Sequence, residues 1–237
     1  MTRKPNFSRE ELKGRYDVAT LTDDAWHAYA GDRTAQLVAR YLAQCRACSR
    51  VVLNAGSGVH ALNVDSWEEI CVDLFEAPIQ GHKKSVCANV EHLPFTAESF
   101  GAVVCVGEVL GYCDAAQAIS EFDRVLQRDG LLICDFGSTR SLRHWCTPVY
   151  GRAADMITDV YNGSPEPIWI YDPEYVCSIL ESNRFRLDRV HGTHTWSSLS
   201  RRLGFQPSTA AKVEKALHHV SLPRSWADVT TIVAVRI

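Results

Sequence analysis

The sequence predicts an α/β fold built on a parallel sheet, and three observations predict it. First, the middle of the chain carries five short apolar runs bounded by turn residues: Val51-Val52-Leu53, Ile70-Cys71-Val72, Val86-Cys87-Ala88, Val103-Val104-Cys105-Val106 and Leu131-Leu132-Ile133-Cys134. None alternates apolar with polar, which is the pattern of strands covered by helices on both faces. Second, Asp114 opens a helical stretch that repeats Ala118, Ile119, Phe122, Val125 and Leu126 at helical spacing before Gly130 ends it, as a crossover helix requires. Third, two glycines, Gly56 and Gly58, follow the first run directly, where an open sheet turns its chain and presents backbone to a ligand.

The elements follow in order. Ser8-x-x-Glu11 is a capping box that opens a helix towards Tyr16, and a second helix is expected from Asp32 to Cys45, with Leu37, Val38, Tyr41 and Leu42 on one face. The segments between Gly58 and Glu69 and between Asp73 and Ser85 are short, so they are read as loops or single turns. Beyond Asp135 a helix is expected near Ser138 to Trp145, then strand or irregular structure through Tyr161. A turn-rich segment follows from Asn162 to Pro167, with a brief strand from Ile168 to Tyr171. Asp172-Pro173 is a cap followed by proline at the first helical position, which starts a helix running to about Ser182. Phe185 to His194 and Val229 to Ile237 read as closing strands, with a helix from Ser208 to Val220 between them.

With 237 residues, 46% of them hydrophobic, 14 glycines and 9 prolines, the chain has the composition and length of one globular domain. A formal charge of −3 lacks the basic excess that phosphate-driven nucleic-acid coating uses. The N-terminal residues have no apolar segment behind their basic start, and no run of 18 apolar residues occurs, so a soluble, cytoplasmic protein without membrane contact is expected. Nine cysteines, several inside apolar runs, suit buried thiols in a reducing compartment. Cys45-Arg46-Ala47-Cys48 is a lone CxxC without a second ligand pair, and His191 and His194 have no third partner. No metal site is expected.

The chemistry-bearing residues cluster at the ends of the apolar runs. Asn54-Ala55-Gly56-Ser57-Gly58 leaves the first, and Asp73 ends the second, 19 residues after Asn54, where a carboxylate is placed to accept both hydroxyls of a ribose. Together with Cys71-Val72-Asp73-Leu74, Ala88-Asn89-Val90-Glu91-His92-Leu93-Pro94-Phe95 and Arg124 to Ile133, this loop resembles the ordered motifs of class I S-adenosylmethionine-dependent methyltransferases. The likeness is to the type 11/25-like small-molecule group. It implies a Rossmann-like doubly wound sheet, mostly parallel with an antiparallel C-terminal strand, beneath an N-terminal helical lid. The expected organisation is a lid over residues 1–48, a cofactor core over 49–137, and a substrate side with closing strands over 138–237.

The resemblance also implies roles. S-adenosylmethionine would bind, and S-adenosylhomocysteine would leave as product. Gly56, Ser57 and Gly58 would pass beneath the methionine part, with Asn54 at the head of the loop. Asp73 and Leu74 would take the ribose, and Asn89 and Val90 the adenine. Cys105, Val106 and Gly107 would lie beside the sulfonium, and Tyr16 and Tyr29 would flank the cofactor. Three departures stand out: Asn54 where an acid is common, His60 at the third glycine position, and Gly101 where an Asp often precedes the fourth strand. Glu108, Tyr112 and His144 follow the fourth and fifth strands and are candidates for a general base. The expected activity is methyl transfer to an oxygen or nitrogen of a small organic molecule. The alternatives are a protein or tRNA substrate, or a non-catalytic cofactor-binding partner protein.

Overall fold

The computed structural model describes residues 25–161, 164–217 and 223–237. The Ser8 capping box and Tyr16 lie outside the described residues. The first helix, α1 (Ala25–Gln44), starts seven residues ahead of its expected N-terminus. Then come β1 (Val51–Ala55), β2 (Glu68–Asp73), a four-residue helix α2 (Glu76–Ile79), β3 (Ser85–Cys87) and β4 (Phe100–Cys105). A 3-10 turn (Val109–Tyr112) leads to α3 (Ala115–Val125) and the long β5 (Leu126–Gly137). The C-terminal part comprises β6 (Ala154–Tyr161), β7 (Ser164–Tyr171), α4 (Pro173–Ser182), β8 (Phe185–Thr193), α5 (Thr195–Arg202), α6 (Pro207–Leu217) and β9 (Val229–Arg236).

Seven strands form one sheet in the order β3-β2-β1-β4-β5-β9-β8. The first five are mutually parallel, and β9 runs antiparallel to both β5 and β8. This is the mostly parallel, doubly wound arrangement with an antiparallel C-terminal strand that the motifs imply. One face carries the core of Leu53, Val103, Leu132 and Ile232 beneath Phe122 of α3 and Leu180 of α4. The other buries Val38, Tyr41 and Leu42 of α1 against Val52, Val104, Ile133 and Val233. Leu62, Val64 and Trp67, from the loop between β1 and β2, pack on that second face, and the Trp67 indole N–H donates to the Leu42 carbonyl at 3.2 Å. No crossover helix links β1 to β2, as the short segment requires.

Several expectations are corrected. Ser138 to Trp145 is not a helix: only Leu142–His144 makes a 3-10 turn. The Ser138 hydroxyl accepts the Arg140 N–H, the Ser141 hydroxyl accepts the Arg143 N–H, and the Thr139 N–H goes to Tyr171, so local and tertiary acceptors take the donors a helix would use. Of the segment expected as a turn over Asn162–Pro167, residues 164–167 are strand and Asn162 and Gly163 lie outside the described residues. β7 pairs with β6 as an isolated two-stranded ribbon, with Pro165 opposite Val160 and Pro167 opposite Thr158. Prolines two apart present their hydrogen-free nitrogens to the same, outer edge, where no ladder bond is lost. Helix α5 was not foreseen; Glu214, twelve residues past its end, accepts the Ser197 N–H at 2.8 Å. Cys87 is exposed rather than buried.

The departure at Gly101 has a steric cause. A β-carbon there would lie 2.1 Å from the Ser49 carbonyl oxygen, because the chain entering β1 crosses directly over β4.

Candidate functional site

The carboxyl ends of β1, β2, β3, β4 and β5 share one edge of the sheet, and the sequence-predicted residues fall along it. Gly56 has φ +75 and Gly58 φ +51, left-handed values that glycine adopts without strain. The N–H groups of Gly56 and Ser57 both donate to the Val72 carbonyl, at 2.8 and 3.0 Å, which folds the loop back over β2. A β-carbon on Gly56 would strike the Val109 side chain at 2.4 Å, so the loop after β1 meets the turn after β4 across the cleft.

Asp73 stands at the end of β2. Its Oδ2 accepts the Gly58 N–H at 2.9 Å and its Oδ1 accepts the Phe75 N–H at 3.1 Å. The side chain is only partly buried, and a carboxylate offers about four acceptor directions. About two therefore stay open for a vicinal diol. Gly58 and Gly107 have nothing within 4 Å of a β-carbon position, which leaves their backbones accessible from the same side. These residues fit a ribose and the chain attached to it.

Asn54 does not face this cleft. It is buried, and its amide donates to the His60 carbonyl at 2.9 Å and to Glu69 Oε1 at 2.8 Å. Glu69 also accepts the Leu62 N–H at 2.9 Å and the Cys71 thiol at 3.4 Å. The carboxylate that orders the glycine loop thus comes from β2 rather than β1. Sequence reasoning missed Glu69; the signal was an acid facing the Asn in the neighbouring strand, legible only once the strands are paired.

The adenine-side residues are partly engaged locally. Asn89 Oδ1 accepts the Glu91 N–H at 2.9 Å, an Asx turn that holds the chain after β3. Val90 is buried in the core, and Leu74 is half-buried beside Asp73. Cys105 is fully enclosed, where burial pushes its thiol well above the ordinary range. Val106 and Gly107 follow it at the edge. Tyr29 packs on His194 at 5.7 Å between ring centroids. His194 follows β8, four strand positions from β1, about 19 Å at the usual spacing, so Tyr29 flanks the far side of the edge rather than the glycine loop.

A second group forms where β4, β5 and β9 meet. Glu108 has φ +60, an uncommon conformation for a non-glycine residue, held by a bond from its N–H to Asp135 Oδ1 at 2.7 Å. Burial pushes the Glu108 carboxyl up to about 8, assisted by the negative charges of Asp135, Asp228 and Asp159 and opposed by Arg143. Burial also raises Asp135, to about 6, against the backbone N–H bonds from Glu108 and Gly107. Arg143 forms a bidentate pair with Asp159 at 2.7 and 2.8 Å and stands 3.6 Å from Asp228. His144 is buried in the same group, and its imidazole is lowered chiefly by that burial. Asp228, Asp159 and Arg143 thus bear on both Glu108 and His144.

Tyr112 points elsewhere: its hydroxyl donates to Glu166 at 3.1 Å. Glu166 lies directly opposite Asp159 in the β6–β7 ribbon, so one face of the ribbon ties to both the 3-10 turn and Arg143. That ribbon roofs the second group. A β-carbon on Gly137 would lie 2.7 Å from the Ile170 side chain and 3.9 Å from Glu108 Oε2. Among the aromatics, Trp169 and Tyr171 are core, whereas Trp145 is exposed.

A parallel sheet in this strand order, with a glycine turn after β1 and an acid at the end of β2, defines the class I methyltransferase fold. Residues 53–134 match the family model described as a methyltransferase domain, which is consistent with a class I S-adenosylmethionine-dependent methyltransferase. No curated protein matches. Among solved structures, it resembles the cyclase SpnF at 14% identity and TM-score 0.63, covering 99% of each chain. It resembles an S-adenosylmethionine-dependent methyltransferase from Clostridium acetobutylicum at 12% and 0.57, covering 96% of this chain and 98% of that one. A geranyl diphosphate C-methyltransferase from Streptomyces coelicolor, solved with S-adenosyl-L-homocysteine, aligns at 15% and 0.59 over 97% and 98%. At these identities the likeness is one of fold.

Proposed function

We propose that the chain transfers a methyl group from S-adenosylmethionine to an oxygen or nitrogen of a small organic molecule, with Glu108 as the base. The cofactor supplies an electrophilic methyl on a sulfonium that is already a good leaving group, so the protein's task is alignment and desolvation. Asp73 would hold the ribose hydroxyls, the loop Gly56–Gly58 would lie under the methionine part, and Asn89 and Val90 would border the adenine. Cys105, Val106 and Gly107 would form the wall at the end of β4.

The observation that carries the reading is the raised carboxyl of the partly buried Glu108. A carboxyl raised to about 8 accepts a proton more strongly than an ordinary carboxylate once ionised. It sits one residue past Gly107 at the end of β4, with its Oε2 3.9 Å from a β-carbon position on Gly137. His144, kept neutral by burial, would orient the acceptor or relay its proton. The likeness to the cyclase SpnF over nearly the whole of both chains favours one other reading, a cofactor-binding chain that does not transfer the methyl.

The test is methyl transfer from labelled S-adenosylmethionine to a panel of phenols, carboxylates and amines, followed across pH. Glu108 must be ionised to act, so the rate should rise with pH and level off above about 8. Glu108→Gln should lower turnover about 100-fold or more while leaving S-adenosylhomocysteine affinity within about twofold. Equal loss of both would remove the base assignment, and product formation only with protein or tRNA would overturn the small-molecule reading.

A further inference from the structure

A groove of about 220 Å³ runs between α1 and the outer strands β8 and β9, lined by Arg33, Arg40, Tyr41, His191, Thr193 and Thr231 among others. It lies at the opposite end of the strand order from Asp73. Its walls are strongly basic. Arg33 and Arg40 stand on the α1 wall opposite His191. Arg189 of β8 and Arg224 of the 3-10 turn Arg224–Trp226 lie outside the lining, Arg224 donating to the Val190 carbonyl at 3.1 Å. All four guanidinium charges bear on the His191 imidazole, which burial and their repulsion keep low. Among the described residues, no carboxylate pairs with any of the four.

This concentration of cations runs against the chain's formal charge of −3. Like charges gathered at one place repel unless an anion joins them, and guanidinium forks match the oxygens of phosphate. The groove also has a fixed floor. The Tyr41 hydroxyl and His191 Nε2 are hydrogen-bonded at 2.9 Å, and their rings meet edge to face at 5.6 Å. The Arg40 guanidinium lies 5.9 Å from the Tyr41 ring centre, and Thr231 is almost fully buried beneath.

We infer that this groove binds a phosphate-bearing small molecule, its phosphate groups held by Arg33 and Arg40 above the His191–Tyr41 floor, with Arg189 and Arg224 adding positive charge from outside the lining. The site uses none of the residues placed at the cofactor edge, so it stands or falls apart from the methyltransferase reading. A bound anion would offset the guanidinium charges around His191, and protonation of that ring would then strengthen binding. With the probe's own protonation taken out, affinity should therefore rise as pH falls from 8 to 6. Tyr41, Arg33 and Arg40 from α1, Arg189 from β8 and Arg224 from the 3-10 turn are the groups that face the imidazole.

The test is calorimetric titration of the full chain with inorganic pyrophosphate, and with orthophosphate as the smaller probe. One site per chain is expected, with pyrophosphate tighter than orthophosphate. The double variant Arg33→Ala/Arg40→Ala removes two exposed side chains and should weaken pyrophosphate at least about tenfold, with S-adenosylhomocysteine binding unchanged. His191→Gln, which keeps a hydrogen-bonding group near Tyr41, should retain binding and keep only the pH dependence that the probe's own titration gives. Absence of heat at millimolar pyrophosphate, or an affinity that the double variant leaves within about threefold, would overturn the inference. So would an oligonucleotide that binds through these arginines and that pyrophosphate does not displace.

Discussion

Asp73 and Glu69 divide between two residues of β2 what a single reading of the motifs gives to β1 and β2. Asp73 secures Gly58 while keeping acceptor capacity towards the cleft, and Glu69 ties Asn54, Leu62 and the Cys71 thiol into one loop support. Bonds to a charged acceptor contribute about 1.5–3 kcal/mol each where they are shielded. Glu69→Gln turns an amide towards at least one of those donors, so it should cost roughly 1–3 kcal/mol in urea unfolding and weaken S-adenosylhomocysteine severalfold. An unchanged unfolding midpoint would show that Asn54 alone orders the loop. The sequence made Asp73 legible because its position after an apolar run and a glycine turn has one physical meaning in a parallel sheet. Glu69 was hidden because its role depends on the pairing of Val52 with Glu69, a relation between strands that no local pattern carries. Glu108 was found by position, but its raised proton affinity comes from burial first and then from Asp135, Asp228 and Asp159, which arrive from three other segments.

That raised affinity has a consequence for stability. A carboxyl protonated in the folded state and ionised in the unfolded one makes the folded state bind the extra proton, so stability falls as pH rises. The loss begins near the ordinary glutamate range and is complete above about 8, the folded value. Glu108→Gln should remove this dependence and be more stable than the parent at pH 9 by on the order of 1 kcal/mol or more. Thermal unfolding of both proteins at pH 6 and pH 9 checks it; a variant less stable at both values would contradict the assignment.

Elements were legible where their signals are local. The caps of α3 and α4 read directly: Asp114 accepts the Ala116 and Gln117 N–H groups, and Asp172 accepts that of Glu174 ahead of Pro173. Asp114→Ala should cost about 1 kcal/mol, read from the denaturant midpoint. Elements failed to read where distant partners decide them. Ser138 to Trp145 has helical composition, yet Tyr171 and its own serines claim the backbone donors. The prolines of β7 suppress a strand that its isolated ribbon permits. Helix α5 depends on Glu214 from the next helix. Gly101 belongs to the same lesson, since its need arises from Ser49 crossing β4. Gly101→Ala should destabilise by at least about 2 kcal/mol, whereas an alanine tolerated without loss would show that this crossing relaxes.

Across the whole molecule, charge ties the closing strand to the crossover helix. Arg236, at the end of β9, is buried and donates to Asp123 of α3 at 3.1 Å and to Glu98 at 2.8 Å, while Arg184 approaches Asp123 from the other side. Removing Arg236 leaves Asp123 with Arg184 as its remaining cationic partner, so Arg236→Met should cost about 1–3 kcal/mol. This brace fixes the closing strand against the crossover helix, and with it the order in which strand ends reach the functional edge. Order along the sheet is what gathers Gly56, Gly58, Asp73 and Glu108 from separate parts of the chain.

Titration of S-adenosylhomocysteine into the parent chain and into Asp73→Ala measures that gathering most directly. Saturable binding at one site per chain, weakened about 100-fold or more in the variant while the fold is retained, is the result expected. Equal affinity in both proteins would place the nucleoside away from the end of β2 and contradict the account.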